Sequence, residues 1–395
     1  MTERLVPTDS EDLYSRAAIL DPYPHYARLR ARGPVVWLRR HRVYALPQFA
    51  ECKAVLLDDA TFISGAGVAL NALTNRLSHG TTLNSDGRQH DERRKLVAHR
   101  LTPRALRVMQ EQVDAQAARV VDAALERGRV DGVGDLALAL PMSIVPDLIG
   151  WPQEGRDQLL EWGAATFDVL GPRNGQAMRS VVPSLQMLRY ARRVAKERSL
   201  LPESLGADLL RAVDEGRLDA AGCPKLLVDY LAPSIDTTLS AIASALYLFA
   251  QHPDQWQRLR ADRSLLPNAI NEVVRLESPL RAFSRKVAAD VTLAGVALPA
   301  GSRVLVLYAS ANRDELVWES PDEFDITRDA SQQLGFGHGT HGCAGQGLAR
   351  LETRAVLGHL LDRVERLELT GEPVWAVNNI IHRLEHLPLE LIPSR

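Results

Sequence analysis

Phe336-Gly-His-Gly-Thr-His-Gly-Cys343-Ala-Gly345 is the stretch of sequence that decides the fold. It places one cysteine near the end of a glycine-punctuated loop, directly before a strong helical pattern that continues to Glu352. Unpaired backbone N–H groups and the helix dipole favour negative charge at a helix start, so we expect this position to bias the Cys343 thiol toward the thiolate. The glycines let the backbone turn tightly and approach a flat ligand closely. A buried structural cysteine is the plain alternative, but the ordered set of Phe, Gly, His and Cys is too specific for it.

The ordered pattern Phe-Gly-x-Gly-x-His-x-Cys-x-Gly resembles that of the cytochrome P450 family, and the similarity extends over nearly the whole chain. The resemblance implies that Cys343 is the axial thiolate ligand of a haem b iron. It also implies that His341 reaches a haem propionate, that Phe336 packs beside the sulfur and that Gly345 belongs to the haem-binding loop. The fold it implies is mainly α with small β-sheets, the haem lying between a long central helix and the helix after the Cys loop.

Length and composition narrow the class of protein. The 395 residues contain no Gly/Ser-rich or Pro-rich linker, so we expect a single cytochrome P450 domain over residues 1–395. The 47 basic and 49 acidic residues argue against a nucleic-acid binder. Three widely spaced cysteines fit a reducing cytoplasm and give no disulfide framework or zinc spacing. The first twenty residues are charged and polar, and we expect a soluble, cytoplasmic, monomeric protein of the bacterial type with no membrane segment.

Periodicity predicts a mainly helical body with small sheets near the ends. Val35–Leu38 and Arg42–Leu46 are predicted to form a hairpin, and most of residues 103–275 has helical periodicity. Further strands are predicted at residues 291–293, 303–307 and 387–391.

The longest apolar helical pattern runs from Lys225 to His252, about 40 Å at the usual rise per residue. An acid in such a helix is costly unless solvated or paired. The resemblance assigns Asp236 and Thr237 to proton delivery to dioxygen, with an N-cap or a polar stripe as the alternative. Pro233 and Ser234 stand where the family has a small residue and a glycine. Because proline removes a helical hydrogen bond, we expect a kink at Pro233 that opens the helix locally.

Three basic residues match the family's propionate-binding positions. His90 and Arg94 are four apart on one predicted helix face, and Arg285 follows the segment Leu280–Phe283. The two propionates of a haem need cationic or donor partners, and His341 completes the set. Each residue alone is an ordinary surface charge, and it is their order and spacing that carry the resemblance.

A second group resembles the family's buried ion pair. Glu272 and Arg275 are three apart on one predicted helix face, and Arg328 is a third partner farther along the chain. By itself this spacing is weak evidence for a buried ion pair, because such pairs are common on solvated surfaces. We expect these residues to be structural rather than catalytic.

The regions that line the substrate pocket in relatives are mostly apolar here, so we expect a small to medium hydrophobic substrate. The candidate substrate residues are Leu70, Phe167, Leu231, Ser234, Leu280, Phe283 and Ile380. Several of these segments look similar to bacterial members that act on small aromatic acids or methoxy-aromatics. Natural-product tailoring of a terpenoid or polyketide is the rival prediction, and ordinary core packing is the plain alternative.

The resemblance implies a haem-thiolate monooxygenase that hydroxylates a C–H bond with one atom of O2, or O-demethylates a methoxy group. The chain has no flavin or iron–sulfur segment, so electrons are expected from NAD(P)H through a ferredoxin or flavodoxin and its reductase. Five basic residues are expected to steer that partner: Lys95, Arg100, Arg104, Arg350 and Arg354. A peroxide-driven peroxygenase and a non-catalytic haem sensor are the alternatives, and the intact acid–alcohol pair disfavours both.

Overall fold

The computed structural model of the protein describes residues 5–394. The helices are α1 (Arg16–Leu20), α2 (Tyr23–Arg32), α3 (Phe49–Leu57), α4 (Ala72–Leu77), α5 (Gly87–Ala98), α6 (Pro103–Arg127), α7 (Ala139–Ile149), α8 (Leu159–Asp168), α9 (Gly175–Arg179), α10 (Val181–Glu197), α11 (Leu205–Asp214), α12 (Gly222–Gln251), α13 (Pro253–Ala261), α14 (Leu266–Leu276), α15 (Tyr308–Ala311) and α16 (Gln346–Arg363). The strands are β1 (Thr8–Asp9), β2 (Val36–Leu38), β3 (Val43–Leu46), β4 (Phe62–Ile63), β5 (Arg129–Asp131), β6 (Phe283–Val287), β7 (Val291–Leu293), β8 (Val296–Leu298), β9 (Arg303–Val306), β10 (Val364–Leu369), β11 (Val374–Trp375), β12 (Leu384–His386) and β13 (Pro388–Pro393).

The strands form small sheets beside a helical body, as predicted. The largest sheet has the order β1-β2-β3-β9-β6-β4, and β2 pairs antiparallel with β3, which confirms the predicted hairpin. Strands β10, β13 and β5 form a second, antiparallel sheet, while β7–β8 and β11–β12 are two-stranded ribbons. The late strands were therefore predicted at the right places, with boundaries that differ by one or two residues.

Helix α6 shows how local sequence sets an element that supports the site. It begins where the Thr102 hydroxyl accepts a hydrogen bond from the Ala105 N–H at 3.2 Å and Pro103 occupies the first turn. It ends at Gly128, whose φ of 70° is costly for other residues. Its buried residues recur every three or four positions: Val113, Ala117, Val121 and Ala124. This stripe packs the helix into the main core, against α16.

Helix α12 passes through the centre of the main hydrophobic core. It spans 30 residues, three longer at its start and one shorter at its end than predicted, and is buried along most of its length. The helix continues without interruption through Pro233, although that residue donates no hydrogen bond. The hydroxyls of Ser234 and Thr237 donate back to the carbonyls of Tyr230 and Pro233, at 2.6 and 2.7 Å. The expected kink itself stays a prediction.

Within residues 5–394, one helical stretch has the length and composition of a membrane span, Gly132–Ile149. It joins a π-helical turn to α7, and 56% of it is buried inside the protein. Leu136, Leu140 and Ile144 lie in the main hydrophobic core. Core helices of ordinary proteins pass the same test, so this stretch is explained by core packing.

The predicted ion-pair group comes together behind the Cys loop. Arg275 donates twice to Glu272, at 2.7 and 2.8 Å, and both side chains are fully buried. Arg328 donates to the same carboxylate at 3.1 Å. Arg275 also donates to the carbonyls of Asn312 and Pro321, at 2.8 and 2.7 Å. The group thus ties α14 to the segment that leads into the Cys loop.

Removal of the Arg275 guanidinium should strongly destabilise the fold. Arg275→Ala leaves the Glu272 carboxylate buried with Arg328 as its one cationic partner and the Asp325 N–H as a further donor, and we expect a loss of about 3–5 kcal/mol in the free energy of unfolding. Urea denaturation measures it. The matched control is Arg129→Ala, which removes an exposed pair with Glu390 and should cost less than about 1 kcal/mol. Equal losses in the two variants would show that the buried group does not anchor the fold.

Candidate haem site

The Cys loop is closed by its own backbone. The Cys343 N–H donates to the Phe336 carbonyl at 2.8 Å, and the Gly342 N–H donates to the Gly339 carbonyl at 3.0 Å. Gly339 has a φ of 66°, and a Cβ there would collide with the carbonyl oxygen of Leu56. This position therefore requires glycine. The result is a rigid loop that presents the Cys343 side chain to one side.

The Cys343 thiol faces a cavity, and helix α16 starts three residues later. Burial raises the pKa of the thiol, while the N–H groups of Gly345 and Gln346 and the charges of Arg94 and Arg350 act in the opposite direction. The helix start therefore acts in the expected direction, but loss of hydration outweighs it, and the net pKa of the thiol is raised in the protein by itself. Ligation of a metal cation is what favours the thiolate at such a site.

The cavity holds about 1340 Å³ of space, its solvent-open mouth included. The Cys loop forms one wall, with Phe336, Cys343 and Gly345 among the lining residues. Helix α12 forms another wall and contributes Thr237. A sulfur and an alcohol on separate elements therefore border one mostly apolar chamber.

Four basic residues predicted to bind propionates converge on this cavity. His90, Arg94, Arg285 and His341 all line it, and the two imidazole rings lie 4.5 Å apart. Burial and the neighbouring cationic groups lower the pKa of His341 to about 3. The Nε2 atoms of both histidines are buried without a hydrogen-bond partner. The nearest carboxylate, that of Asp86, lies 3.7 Å from His341 and already accepts the N–H groups of Ser64 and Gly65.

Such a cluster of unsatisfied donors and positive charge needs an anionic ligand, and two propionates meet that need. Gly345 lines the cavity, and a Cβ on it would meet open space, so the loop leaves room for a flat ring. Among residues 5–394, no group of three His, Cys, Asp or Glu side chains is placed to hold a metal ion, so the protein offers Cys343 as a single ligand. These residues fit a haem held by one cysteine sulfur.

The predicted acid–alcohol pair is divided between two environments. Thr237 lines the cavity, but Asp236 does not. The Asp236 carboxylate is 1% exposed and lies 3.0 Å from Arg383 on the C-terminal segment. Burial raises its pKa to about 6, against the opposing charge of Arg383. Consecutive helix residues point about 100° apart, which is why the two side chains separate.

Only some of the predicted substrate residues line the cavity. Those that line the cavity are Phe167, Ser234, Leu280 and Phe283. Leu231 does not, because the cavity face of α12 holds positions 229, 230, 233, 234, 237, 238 and 241, and Leu231 falls in the main core. Leu70 packs instead on the core cluster beside the largest sheet. Ile380 is buried behind the cavity wall, where its carbonyl accepts the Arg281 N–H at 3.0 Å.

Several cavity residues were missed by the sequence reasoning. The most informative are Asp229 and Tyr230 on α12, with Thr82 and Leu83 on the loop before α5. The helix period gave the signal for the first two, since Asp229 lies four positions before Pro233 and Tyr230 lies four positions before Ser234. Nothing in the local sequence marks the loop residues.

The predicted basic residues do not form one uniform surface. Arg350 and Arg354 of α16 line a cleft with Arg107 of α6, and the Arg350 guanidinium stacks over the Phe336 ring at 4.5 Å. Lys95 and Arg104 are exposed. Arg100 is paired with Asp208 at 2.6 Å, so its charge is locally neutralised.

The walls of this chamber define a class of protein, namely those that hold haem through one cysteine sulfur. The family model for cytochrome P450 matches residues 185–379. The chain is 37% identical to cytochrome p450 CYP199A2 of Rhodopseudomonas palustris, over 98% of this chain and 95% of that protein. It is 34% identical to the cytochrome P450 monooxygenase PikC of Streptomyces venezuelae, over 93% and 91%. The structure of Mycobacterium marinum cytochrome P450 CYP268A2 in complex with pseudoionone matches with a TM-score of 0.88 and 29% identity, over 98% and 100%.

The protein therefore belongs to the cytochrome P450 family and is a cytochrome P450 monooxygenase of the bacterial type. The mainly helical fold with small sheets is that of the family. The family also establishes a haem iron with a cysteine thiolate as the cofactor.

Two neighbouring arginines of α5 provide a test of the four residues assigned to the haem propionates. Arg94 lines the cavity and also donates to the Gly342 carbonyl at 2.8 Å, whereas Arg93 does not line the cavity. We expect Arg94→Ala to lose haem about tenfold faster than the unaltered protein, because a charge-assisted hydrogen bond is removed. Transfer of haem to excess apomyoglobin measures the rate. Arg93→Ala is the control, and equal haem loss in both variants would contradict the assignment.

Proposed function

We propose that this protein hydroxylates or O-demethylates a small to medium hydrophobic organic molecule, with a haem b that the Cys343 sulfur would hold. The observation that carries this is the meeting of the Cys343 thiol and the Thr237 hydroxyl at one mostly apolar cavity. The net reaction joins the substrate, O2, two electrons and two protons to give an oxidised product and water. Bound haem supplies the activation of O2 and the transfer of one oxygen atom.

The remaining tasks fall to the side chains of the protein. His90, Arg94, Arg285 and His341 hold the propionates and fix the orientation of the ring. The apolar walls exclude water around the substrate, with Phe167, Leu280 and Phe283 among them. This exclusion protects the reacting centre from side reactions.

Thr237 and Asp236 act in sequence in the proposed proton supply. The Thr237 hydroxyl is at the cavity, where it can give a proton and regain one. The Asp236 carboxyl has a pKa raised to about 6, so both of its protonation states are populated near neutral pH. Its partner Arg383 is 12% exposed. We infer that a side-chain rotation of Asp236 away from Arg383 connects the protein surface to Thr237.

We propose that electrons come from NAD(P)H through a separate ferredoxin or flavodoxin and its reductase, in the bacterial cytoplasm. The basic cleft between α6, α14 and α16 supports this, because Arg350 contacts Phe336 of the Cys loop from that side. Its positive charge suits an acidic partner. Arg100 is not part of this surface, since its charge is balanced by Asp208.

Loss of the Thr237 hydroxyl should separate electron consumption from product formation. We expect Thr237→Ala to reduce product formed per NAD(P)H by about tenfold or more, with the electrons appearing in hydrogen peroxide instead. Chromatographic product assay with surrogate redox partners, alongside peroxide measurement, checks this. Thr237→Ser keeps the hydroxyl and should keep most of the product yield. Peroxide-driven turnover that Thr237→Ala leaves unchanged would instead favour a peroxygenase.

Reversal of charge at the basic cleft should slow reduction by the partner. Arg354 is exposed on α16, and we expect Arg354→Glu to lower the rate of ferredoxin-dependent reduction about tenfold at low salt. The difference should shrink as salt screens the charges. Stopped-flow spectroscopy under CO measures the rate. Arg189→Glu is the control, because Arg189 lies exposed on α10, which packs on α8 and α12 rather than on α16. A larger effect at Arg189 would contradict the proposed surface.

A further inference from the structure

One acidic side chain borders the substrate chamber and has no role in the proposed reaction. Asp229 of α12 lines the cavity next to Tyr230, opposite Thr82 and Leu83. One carboxylate oxygen, Oδ2, accepts the backbone N–H of Thr82 at 2.7 Å and that of Leu83 at 3.4 Å. These bonds and the nearby Thr82 hydroxyl hold the carboxylate in place, and none of the hydrogen bonds between described residues has Oδ1 as its acceptor. A fixed acceptor atom therefore remains free at the cavity wall.

The charge of Asp229 is not neutralised within residues 5–394. No lysine, arginine or histidine lies at salt-bridge distance from its carboxylate. An opposing charge acts on it from Arg93 of α5, whose guanidinium donates at 3.4 Å to the Thr81 carbonyl. Lys225, one turn earlier on α12, donates to the His79 carbonyl at 2.7 Å. An anionic group enclosed by protein without a partner is costly, and a ligand that brings a donor or a positive charge lowers that cost.

Position along α12 sets the size of a ligand that uses this atom. Asp229 lies eight residues before Thr237, which is about 12 Å along the helix. A hydrogen bond to Asp229 takes up about 3 Å of that distance. The remainder is close to the length of a benzene ring with substituents at opposite ends. Phe167, Leu280 and Phe283 provide apolar walls for such a ring.

We propose that Asp229 is a specificity-determining residue that selects substrates carrying a hydrogen-bond donor, either an ammonium or a hydroxyl group, at the end remote from the oxidised carbon. This inference rests on the proposed function and names its substrate class. The hydroxyls of Tyr230 and Thr82, 3.1 Å apart, lie in the same region and complete a polar end to the apolar chamber.

The same geometry disfavours carboxylate substrates, including the small aromatic acids suggested by the sequence. A substrate carboxylate near Asp229 would meet a like charge in a poorly hydrated site. Arg94, Arg285 and the two histidines would be engaged by the haem propionates when haem is bound, so they are not available to a substrate carboxylate. Among the described residues that line the cavity, no other lysine or arginine remains to bind a substrate carboxylate.

Four ligands that differ only at one end test this selection. They are 4-methoxybenzylamine, 4-methoxybenzyl alcohol, 4-methoxytoluene and 4-methoxybenzoate, titrated into the haem-loaded protein. Dissociation constants come from the spin-state shift of the Soret band and from calorimetry. We expect the amine, protonated at neutral pH, to bind about tenfold or more tighter than the toluene, with the alcohol between them and the benzoate weakest.

Asp229→Asn keeps an oxygen for the Thr82 N–H but removes the charge. We expect this variant to lose most of the preference for the amine. We also expect its affinity for the benzoate to rise relative to its affinity for the toluene. Asp219→Asn is the matched control, because Asp219 also acts on Arg93 but is exposed and does not line the cavity. Asp219→Asn should leave the order of affinity for the four ligands unchanged.

Several results would overturn the inference. One is a benzoate that binds as tightly as the amine. Another is an equal change for all four ligands in Asp229→Asn, which indicates a structural role alone. A third is an amine that binds only by nitrogen ligation of the iron, with an affinity that Asp229→Asn does not alter. The thiolate spectrum of the same samples reports independently on the proposed function, so its presence with no ligand discrimination counts against the inference only.

The unaltered protein provides a second test if Asp229→Asn does not fold. Burial raises the pKa of Asp229 to about 6, opposed by the Thr82 and Leu83 N–H groups and by Arg93. The carboxylate is therefore present above that pH and lost below it. We expect the ratio of amine to toluene affinity to fall as the pH decreases from about 8 to about 5. A ratio that stays constant over this range contradicts the inference.

Discussion

The structure depends on one constraint, which is that a single sulfur atom must be held still at the wall of a large cavity. The hydrogen bond from the Cys343 N–H to the Phe336 carbonyl closes the loop that carries the sulfur. Gly339 lets the loop pass against the Leu56 carbonyl, where any side chain would collide. The buried pair of Glu272 and Arg275 fixes the segment that leads into this loop. Rigidity at the sulfur is thus supplied by backbone and charge together.

Charge is distributed unevenly over the walls of the cavity beside the sulfur. This distribution indicates which region suits the cofactor and which suits the substrate. Four basic side chains gather at one edge and leave buried imidazole nitrogens unsatisfied, which suits a dianionic ring. The middle is apolar. Another part of the wall carries the carboxylate of Asp229, held by two backbone N–H groups. A cofactor with two acids and a substrate with a donor are therefore complementary to different regions of one cavity.

The sequence alone predicted the parts that depend on local pattern. The Cys loop, the long helix and the spacing of Glu272 and Arg275 could all be predicted, because each needs a specific residue type at a fixed interval. Prediction from the sequence failed where three-dimensional packing determines which side chains line the cavity. Leu231 was assigned to the pocket, yet the helix rotation places it in the core and places Asp229 and Tyr230 on the cavity instead. The partner of Asp236 is far away in sequence, so no local pattern could indicate it.

The central claim is that Cys343 is the thiolate ligand of a haem, and one spectrum tests it directly. The difference spectrum of the dithionite-reduced, haem-loaded protein with and without CO should show the strongly red-shifted Soret band of a thiolate-ligated haem. Cys343→Ala should lack that band, while Cys223→Ala, which removes a buried cysteine that does not line the cavity, should keep it. A folded, haem-loaded protein without the band, or a Cys343→Ala variant that retains it, would contradict the account.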